Sequence, residues 1–230
     1  MTDLQHQGDD ALEWRAGGVP VSRRFDDPYF NHADGLAETR HVFLSGNDLP
    51  ARFRPGFHVA ELGFGTGLNL VATLMAWRAA GMTDVLRFTS FEAFPLSAGD
   101  MARALAAFPQ AREAVLPLLA QWGDGARRLR LPDLDAEVII GDARETLPAW
   151  DGRADAWYLD GFAPARNPEM WEPALLAAVA AHTVPGGTAA TYSAAGAVRA
   201  GLAAAGFTVT RVPGFGAKRH MTTAVLDRAA

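Results

Sequence analysis

Phe57-His58-Val59-Ala60-Glu61-Leu62-Gly63-Phe64-Gly65-Thr66-Gly67-Leu68-Asn69 is the stretch that decides how this chain is read. Its first part, Phe57–Leu62, is a short apolar run with the pattern of a buried strand. A glycine-rich turn follows at once. From Leu68 to Ala80 apolar residues recur at helical spacing and stop at Gly81. Glycines at a strand-to-helix turn let the backbone approach a ligand and take positive φ. In open α/β sheets the ligand lies beyond the carboxyl ends of the strands.

Strands and helices continue to alternate beyond this unit. Strands are expected at Leu86–Glu92, Ala136–Ile140, Ala156–Asp160, Thr188–Tyr192, Phe207–Val212 and Met221–Leu226. Helices are expected at Ser97–Phe108, Gln110–Trp122, Arg144–Trp150, Pro173–His182 and Ala195–Ala205. Alternation of this kind builds a parallel sheet covered on both faces. The last two strands are separated only by Pro213–His220, too short for a helical crossover, so they pair antiparallel. The expected fold is α/β: a Rossmann-like, mostly parallel seven-stranded sheet ending in an antiparallel hairpin. That is the architecture of class I S-adenosylmethionine (AdoMet)-dependent methyltransferases. Upstream, residues 1–24 read as a flexible lead-in. Residues 25–56 read as loops with a short strand at His41–Leu44, an N-terminal extension of a single domain spanning 25–230.

Spacing decides between nucleotide ligands. Gly63, Gly65 and Gly67 make G-x-G-x-G, whereas the dinucleotide fingerprint is G-x-G-x-x-G and position 68 is leucine. Glu61, two residues ahead of the first glycine, suits the ammonium and sulfonium of AdoMet, which has no pyrophosphate to cradle. Gly63, Phe64, Gly65, Thr66, Gly67 and Asn69 complete the turn. Glu92, ending the second strand, is placed to accept from ribose hydroxyls, a device that NAD enzymes share. Asp142 either accepts from an adenine amino group or caps the helix that follows it. Asp160 ends the fourth strand in the same crevice, next to both cofactor and substrate. There it can take a proton from an amine or aim its lone pair, while Phe162 offers a stacking face for a flipped base.

Composition narrows the chemistry. With no cysteine, thiolate metal sites, iron–sulfur clusters and a cysteine nucleophile are all excluded. Methylation would therefore fall on an atom that is already nucleophilic. The six histidines have no metal-ligand spacing, and no metal is expected. No apolar run reaches ~18 residues, and the polar start MTDLQHQGDDALEWR lacks a signal-peptide pattern, so a cytoplasmic protein is expected. Net charge is −5, and Lys218 is the sole lysine. A nucleic-acid partner would have to meet a local patch rather than a basic protein.

Several blocks resemble one family, the MnmC-type tRNA methyltransferases. They are Phe25-Asp26-Asp27-Pro28-Tyr29-Phe30, Asp34-Gly35-Leu36-Ala37-Glu38-Thr39, Val42–Asn47, the Glu61–Asn69 turn, Asp160-Gly161-Phe162-Ala163-Pro164-Ala165-Arg166-Asn167-Pro168-Glu169-Met170-Trp171, and Gly214–Arg219. The resemblance covers nearly the whole chain after about residue 22. It implies AdoMet-dependent methylation of the exocyclic amine of 5-aminomethyl-2-thiouridine at the wobble position of tRNA. It also implies that Tyr29, Asp34, Gly35, Glu38, Thr39 and Asn47 close the pocket. Tyr29, Asp34, Arg166, Lys218 and Arg219 are the expected substrate contacts. Arg166 stands where the family commonly has lysine, and His220 where it commonly has glutamate. Family members often carry an FAD-dependent oxidase domain. None is expected in this chain, so a separate enzyme is expected to supply the aminomethyl substrate. No FAD, NAD or obligate protein partner is implied. Two competing readings are a methyltransferase for a small-molecule or protein amine and a nicotinamide oxidoreductase. A third is a non-catalytic AdoMet-fold module, which would be expected to lack Asp160 or the glycines.

Overall fold

The computed structural model describes residues 12–15, 18–31, 34–123 and 125–227. The chain enters through β1 (Leu12–Arg15), β2 (Val19–Ser22) and β3 (Asp27–Pro28), which form a small antiparallel sheet. A lead-in without fixed structure was expected across 1–24. The part at 1–11 and 16–17 lies outside the described residues, but 12–15 and 18–24 are ordered. The reason is burial: all four residues of β2 are buried. Such a strand, buried on both faces, shows no clear alternation in sequence.

Helix α1 (Gly35–Thr39) is capped by Asp34, whose carboxylate accepts from Ala37 N. It runs directly into a π-helical turn, Arg40–Leu44. The strand expected at His41–Leu44 is thus helical. β-branched and aromatic residues suggested a strand, but Val42, Phe43 and Leu44 are buried as the continuation of a capped helix, and packing overrides propensity.

The main sheet follows: β4 (His58–Leu62), α2 (Leu68–Ala79), β5 (Leu86–Glu92), α3 (Ala98–Leu105), α4 (Arg112–Gly123), β6 (Arg128–Leu131), β7 (Leu134–Ile140), α5 (Ala143–Thr146), β8 (Ala154–Leu159), α6 (Pro173–Ala181), β9 (Thr183–Thr191), α7 (Gly196–Ala204), β10 (Phe207–Pro213) and β11 (His220–Leu226). Its order is β10-β11-β9-β8-β4-β5-β7-β6. The pairs from β9 to β7 are parallel, and β11 is antiparallel to both β9 and β10, as the short connecting loop requires. The sheet has eight strands rather than seven. The addition, β6, is an edge strand antiparallel to β7, with Leu129 buried and Arg128 and Arg130 exposed. Edge strands often carry charges that deter pairing with another chain, and here they obscure the apolar signal.

Alternation along the central strands sends side chains into two cores. Val59, Ala156 and Tyr158 face α2, α3 and α4, while Ala60, Leu62, Trp157 and Leu159 face α5, α6 and α7. The chain builds β5, β6 and β7 on one side of β4 and then returns to place β8 and β9 on the other. Strand order therefore reverses between β4 and β8, the place where open α/β sheets hold ligands.

Candidate active site

The carboxyl ends of β4 and β8 open into a cavity of about 740 Å3. That is within the ~300–1,000 Å3 typical of small-molecule sites. Its floor is the turn Gly63, Phe64, Gly65, Thr66, Leu68 and Asn69. Glu92 enters from the end of β5, Asp142 from the end of β7, and Asp160 and Phe162 from the end of β8. Tyr29, Glu38, Thr39 and Lys218 line it from elements outside the sheet's core.

Two glycines are required by contact. Gly63 has φ +91°, and a Cβ there would lie 2.8 Å from the carbonyl oxygen of Asp160. Without a side chain, the ends of β4 and β8 close on each other, and Asp160 N donates to Leu62 O at 3.1 Å. Gly65 has φ +52°, and its missing Cβ would meet Tyr29 Cδ1 at 2.9 Å, so the Tyr29 ring rests on the turn. Gly67, expected to face the ligand, is outside the lining and packs against Phe64 and Met101.

Asn69 is the hub. Its Nδ2 donates to Glu61 Oε1 at 2.8 Å and to Asp160 Oδ2 at 2.6 Å, and its Oδ1 accepts from Thr39 Oγ1 at 2.9 Å. Glu61 also accepts from Ser90 Oγ at 2.7 Å. Glu61 is fully buried beneath the turn and does not line the cavity, contrary to the expectation that it faces the ligand. It sits on the α2 side of β4 and reaches the site only through Asn69. Burial lifts its pKa well above the usual carboxylate range, and the neighbouring Asp160 charge adds to the rise.

Glu92 holds the turn from the other side. Its two oxygens accept from Gly65 N at 2.9 Å and Phe94 N at 2.7 Å. Burial raises its pKa against these backbone hydrogen bonds. The backbone groups of Phe64 and Ala93 act in the same sense, so four backbone groups surround this carboxylate. Asp142 caps α5 through Arg144 N and pairs with the Arg144 guanidinium at 2.6 Å while lining the cavity rim. The capping role is therefore present, and its position leaves the cavity-facing role open.

Asp160 is a strongly perturbed carboxyl facing the cavity. Burial pushes its carboxyl up to about 8, helped by the charges of Glu38 and Asp27 and opposed by Asn69 and Lys218. A stability prediction follows for the ligand-free protein. Between the unfolded value near 3.8 and the folded value near 8, native Asp160 holds a proton that the unfolded chain has released. Its contribution is therefore fullest below 3.8 and is lost as pH rises to about 8. Melting temperature is expected to fall across pH 5–8, and to fall less in Asp160→Asn. Equal slopes for both proteins would show that Asp160 is not the group responsible.

Phe162 lines the cavity, but one of its faces is taken. It stacks on Phe25 with centroids 4.7 Å apart and meets Tyr29 edge-on at 5.1 Å. The expected stacking platform for a base is thus an aromatic cluster. Asp27 fixes the same loop, accepting from Ala163 N at 2.9 Å.

Several expected contacts lie outside the lining. Asp34 is a helix cap. Arg166 pairs with Asp26 at 2.7 Å, joining the β8 loop to the N-terminal segment, and Arg219 is exposed. Gly35 packs on Phe30. Asn47 is buried, bonded to Phe43 O, Trp157 O and Thr188 Oγ1. Lining residues not singled out in sequence include Phe25, Asp27, Phe94, Arg144 and Tyr192. Phe25 and Asp27 lay in a recognised block without a role. Tyr192 directly follows β9, and the strand-end rule that selects Glu92 and Asp160 would have found it too.

A family profile described as S-adenosyl-L-methionine-dependent methyltransferase matches residues 109–227, more than half of the chain. The chain belongs to this methyltransferase family. A protein from Caulobacter sp. (strain K31) is 51% identical over 232 residues, covering 95% of this chain and 39% of its own length. It is named tRNA 5-methylaminomethyl-2-thiouridine biosynthesis bifunctional protein MnmC. A protein of the same name from Stutzerimonas stutzeri is 46% identical over 224 residues, covering 91% of this chain and 34% of its own length. The methyltransferase therefore spans under two-fifths of these relatives. The crystal structure of MNMC2 from Aquifex aeolicus matches with a TM-score of 0.76 at 24% identity, covering 95% of this chain and 71% of that one, which shows a shared fold.

The cavity of the methyltransferase fits AdoMet. Its lining carries six carboxylates, Asp27, Glu38, Glu92, Asp142, Asp160 and Glu169, against three cations, Arg15, Arg144 and Lys218. That balance favours a cationic sulfonium and disfavours a pyrophosphate. Gly63, Gly65 and Glu92 lie together in this lining at the ends of β4 and β5. Among the described residues no helix is long and apolar enough to cross a membrane.

Proposed function

We propose that this methyltransferase acts on tRNA, methylating the exocyclic amine of 5-aminomethyl-2-thiouridine at the wobble position to give 5-methylaminomethyl-2-thiouridine. The observation that carries the reading is the 51% identity, over 95% of this chain, to a protein named for biosynthesis of that nucleoside. Residues 25–230 act as one methyltransferase domain, with 25–56 as the cover of the crevice. The amine must exist before it can be methylated, so its supply belongs to a different active site, on this polypeptide or another.

AdoMet supplies an electrophilic methyl group on a sulfonium, and the nitrogen lone pair displaces the thioether in line. The chain's task is to place the amine and free its lone pair. An alkylammonium with a pKa near ~10.4 holds its proton at pH 7. An ordinary carboxylate lies ~6.5 pH units below it, too weak a base to take that proton readily. Burial pushes Asp160 up to about 8, so only its ionised fraction, which grows as pH rises, can take the proton, and for that fraction transfer lies only ~2.4 units from balance. The balance is simple: a C–N bond forms, the C–S bond breaks with its electron pair on sulfur, and one proton leaves nitrogen for Asp160 or water. Glu92, Asp142 and the Gly63–Asn69 turn hold the cofactor, with Glu61 supporting from below. Phe162 guides the base, while Tyr29, Asp34, Arg166, Lys218 and Arg219 order or meet the RNA-facing side.

The test is methyl transfer from radiolabelled AdoMet to tRNA that bears aminomethyl uridine, followed by nucleoside analysis. Label in 5-methylaminomethyl-2-thiouridine is expected. Intact AdoMet binding with no label in tRNA would move the substrate to a small-molecule or protein amine.

A further inference from the structure

Lys218 is the only lysine of the chain, and it does not simply point into solvent. It lines the cavity that holds Asp160. Its Nζ lies 2.9 Å from Glu38 Oε1 and 4.2 Å from the centroid of the Tyr192 ring. An ammonium set against a carboxylate and over an aromatic face is held by charge and by the ring quadrupole. The seat itself is firmly built. Glu38 is mostly buried, with 12% of its side chain exposed, and belongs to the capped helix α1. Its neighbour Thr39 is tied through Asn69 to Asp160. The Tyr192 hydroxyl donates to Gly161 O at 2.8 Å, which fixes the ring beside the residue that follows Asp160. Lys218, by contrast, is 44% exposed and lies in the loop between β10 and β11, so it can leave at little cost.

A lysine side chain ends in a primary alkylammonium, the same group as the one proposed for the substrate. We propose that the Glu38 carboxylate and the Tyr192 ring face form the seat for the substrate's reacting ammonium, and that Lys218 occupies this seat until the substrate displaces it. The inference rests on the reading above for the identity of the amine. In this arrangement Glu38 and Tyr192 are specificity-determining residues: they select a primary ammonium beside Asp160. Lys218 is an internal competitor that lowers apparent affinity by the fraction of molecules in which the seat is filled. A tRNA can offset that competition, because its phosphates give the displaced ammonium a new partner.

The proposal is tested with the full chain, using benzylammonium as a probe that carries only an aromatic ring and a primary ammonium. Calorimetry on Lys218→Met is expected to show binding at least ~5-fold tighter than wild type, because the competitor is gone. Lys218→Met/Glu38→Gln is expected to lose that gain. Glu38→Gln is expected to lower kcat/KM for aminomethyl tRNA at least ~10-fold while leaving the AdoMet Kd within ~2-fold, the loss assigned to one charge-assisted contact. Unchanged or weaker benzylammonium binding in Lys218→Met overturns the proposal, as does a parallel loss of AdoMet affinity in Glu38→Gln, which would give Glu38 to the cofactor. Should wild type fail to methylate the tRNA while the benzylammonium pattern appears as expected, the seat stands and only the tRNA reading falls.

Discussion

Asp160→Ala is expected to reduce turnover by ~10²–10⁴-fold, the range for loss of a positioned acid–base group, while the AdoMet Kd changes by less than ~10-fold. The other residues proposed to hold the cofactor are expected to stay in place, because Gly63, Gly65 and Glu92 are held by bonds that do not involve the Asp160 side chain: Gly63 N to Phe91 O, and Gly65 N and Phe94 N to Glu92. The reaction loses a cavity carboxyl that burial pushes up to about 8, toward the amine's own range. Asp160→Asn separates the two roles open to this residue. It keeps an acceptor for aiming the amine but takes no proton, so activity well above that of the alanine variant would assign orientation rather than proton removal. Wild-type-like turnover in Asp160→Ala would remove Asp160 from the chemistry. The measurement is single-turnover methyl transfer paired with calorimetric AdoMet binding.

Asn69→Ala is expected to lower stability by ~3–5 kcal/mol and melting temperature by ~6–20 °C. One amide here bonds Glu61, Asp160 and Thr39. Removing it leaves two carboxyls short of a donor, at ~1–3 kcal/mol each, and opens a small void at the start of α2. For a chain of this length 1 kcal/mol corresponds to ~2–4 °C. The effect should be larger at high pH than at low pH. Glu61 is buried with a raised pKa, and protonation relieves the charge that Asn69 neutralises. A melting temperature within ~2 °C of wild type at pH 8 would show that water replaces the amide and that the hub is dispensable. The same variant bears on function, since Asn69 is the link by which buried Glu61 reaches Asp160.

What could be read from residues alone was whatever depended on local periodicity. Phe57–Leu62 and its glycine turn, the strands ending at Glu92 and Asp160, and the short loop before the last strand each satisfy a rule within about ten residues. The sheet's parallel core, its antiparallel hairpin and the cavity at the strand ends are therefore legible in the sequence. Tertiary structure decided the features that depend on distant partners. β2 is ordered because all of it is buried, which four residues of sequence do not reveal. β6 pairs at an edge beneath a row of arginines. Val42-Phe43-Leu44 is helical because a cap at Asp34 starts the helix that it continues. Glu61 and Glu92 have the same side chain at comparable strand ends, yet one is sealed under Asn69 while the other faces the cavity. Register separates them: Glu61 pairs with Ser90, two residues short of Glu92, so on the same face Glu61 lies deeper below the strand ends. The seat that holds Lys218 draws on α1, the residue after β9 and the terminal hairpin loop. Up to 180 residues separate Glu38 from Lys218, and no local pattern spans that distance.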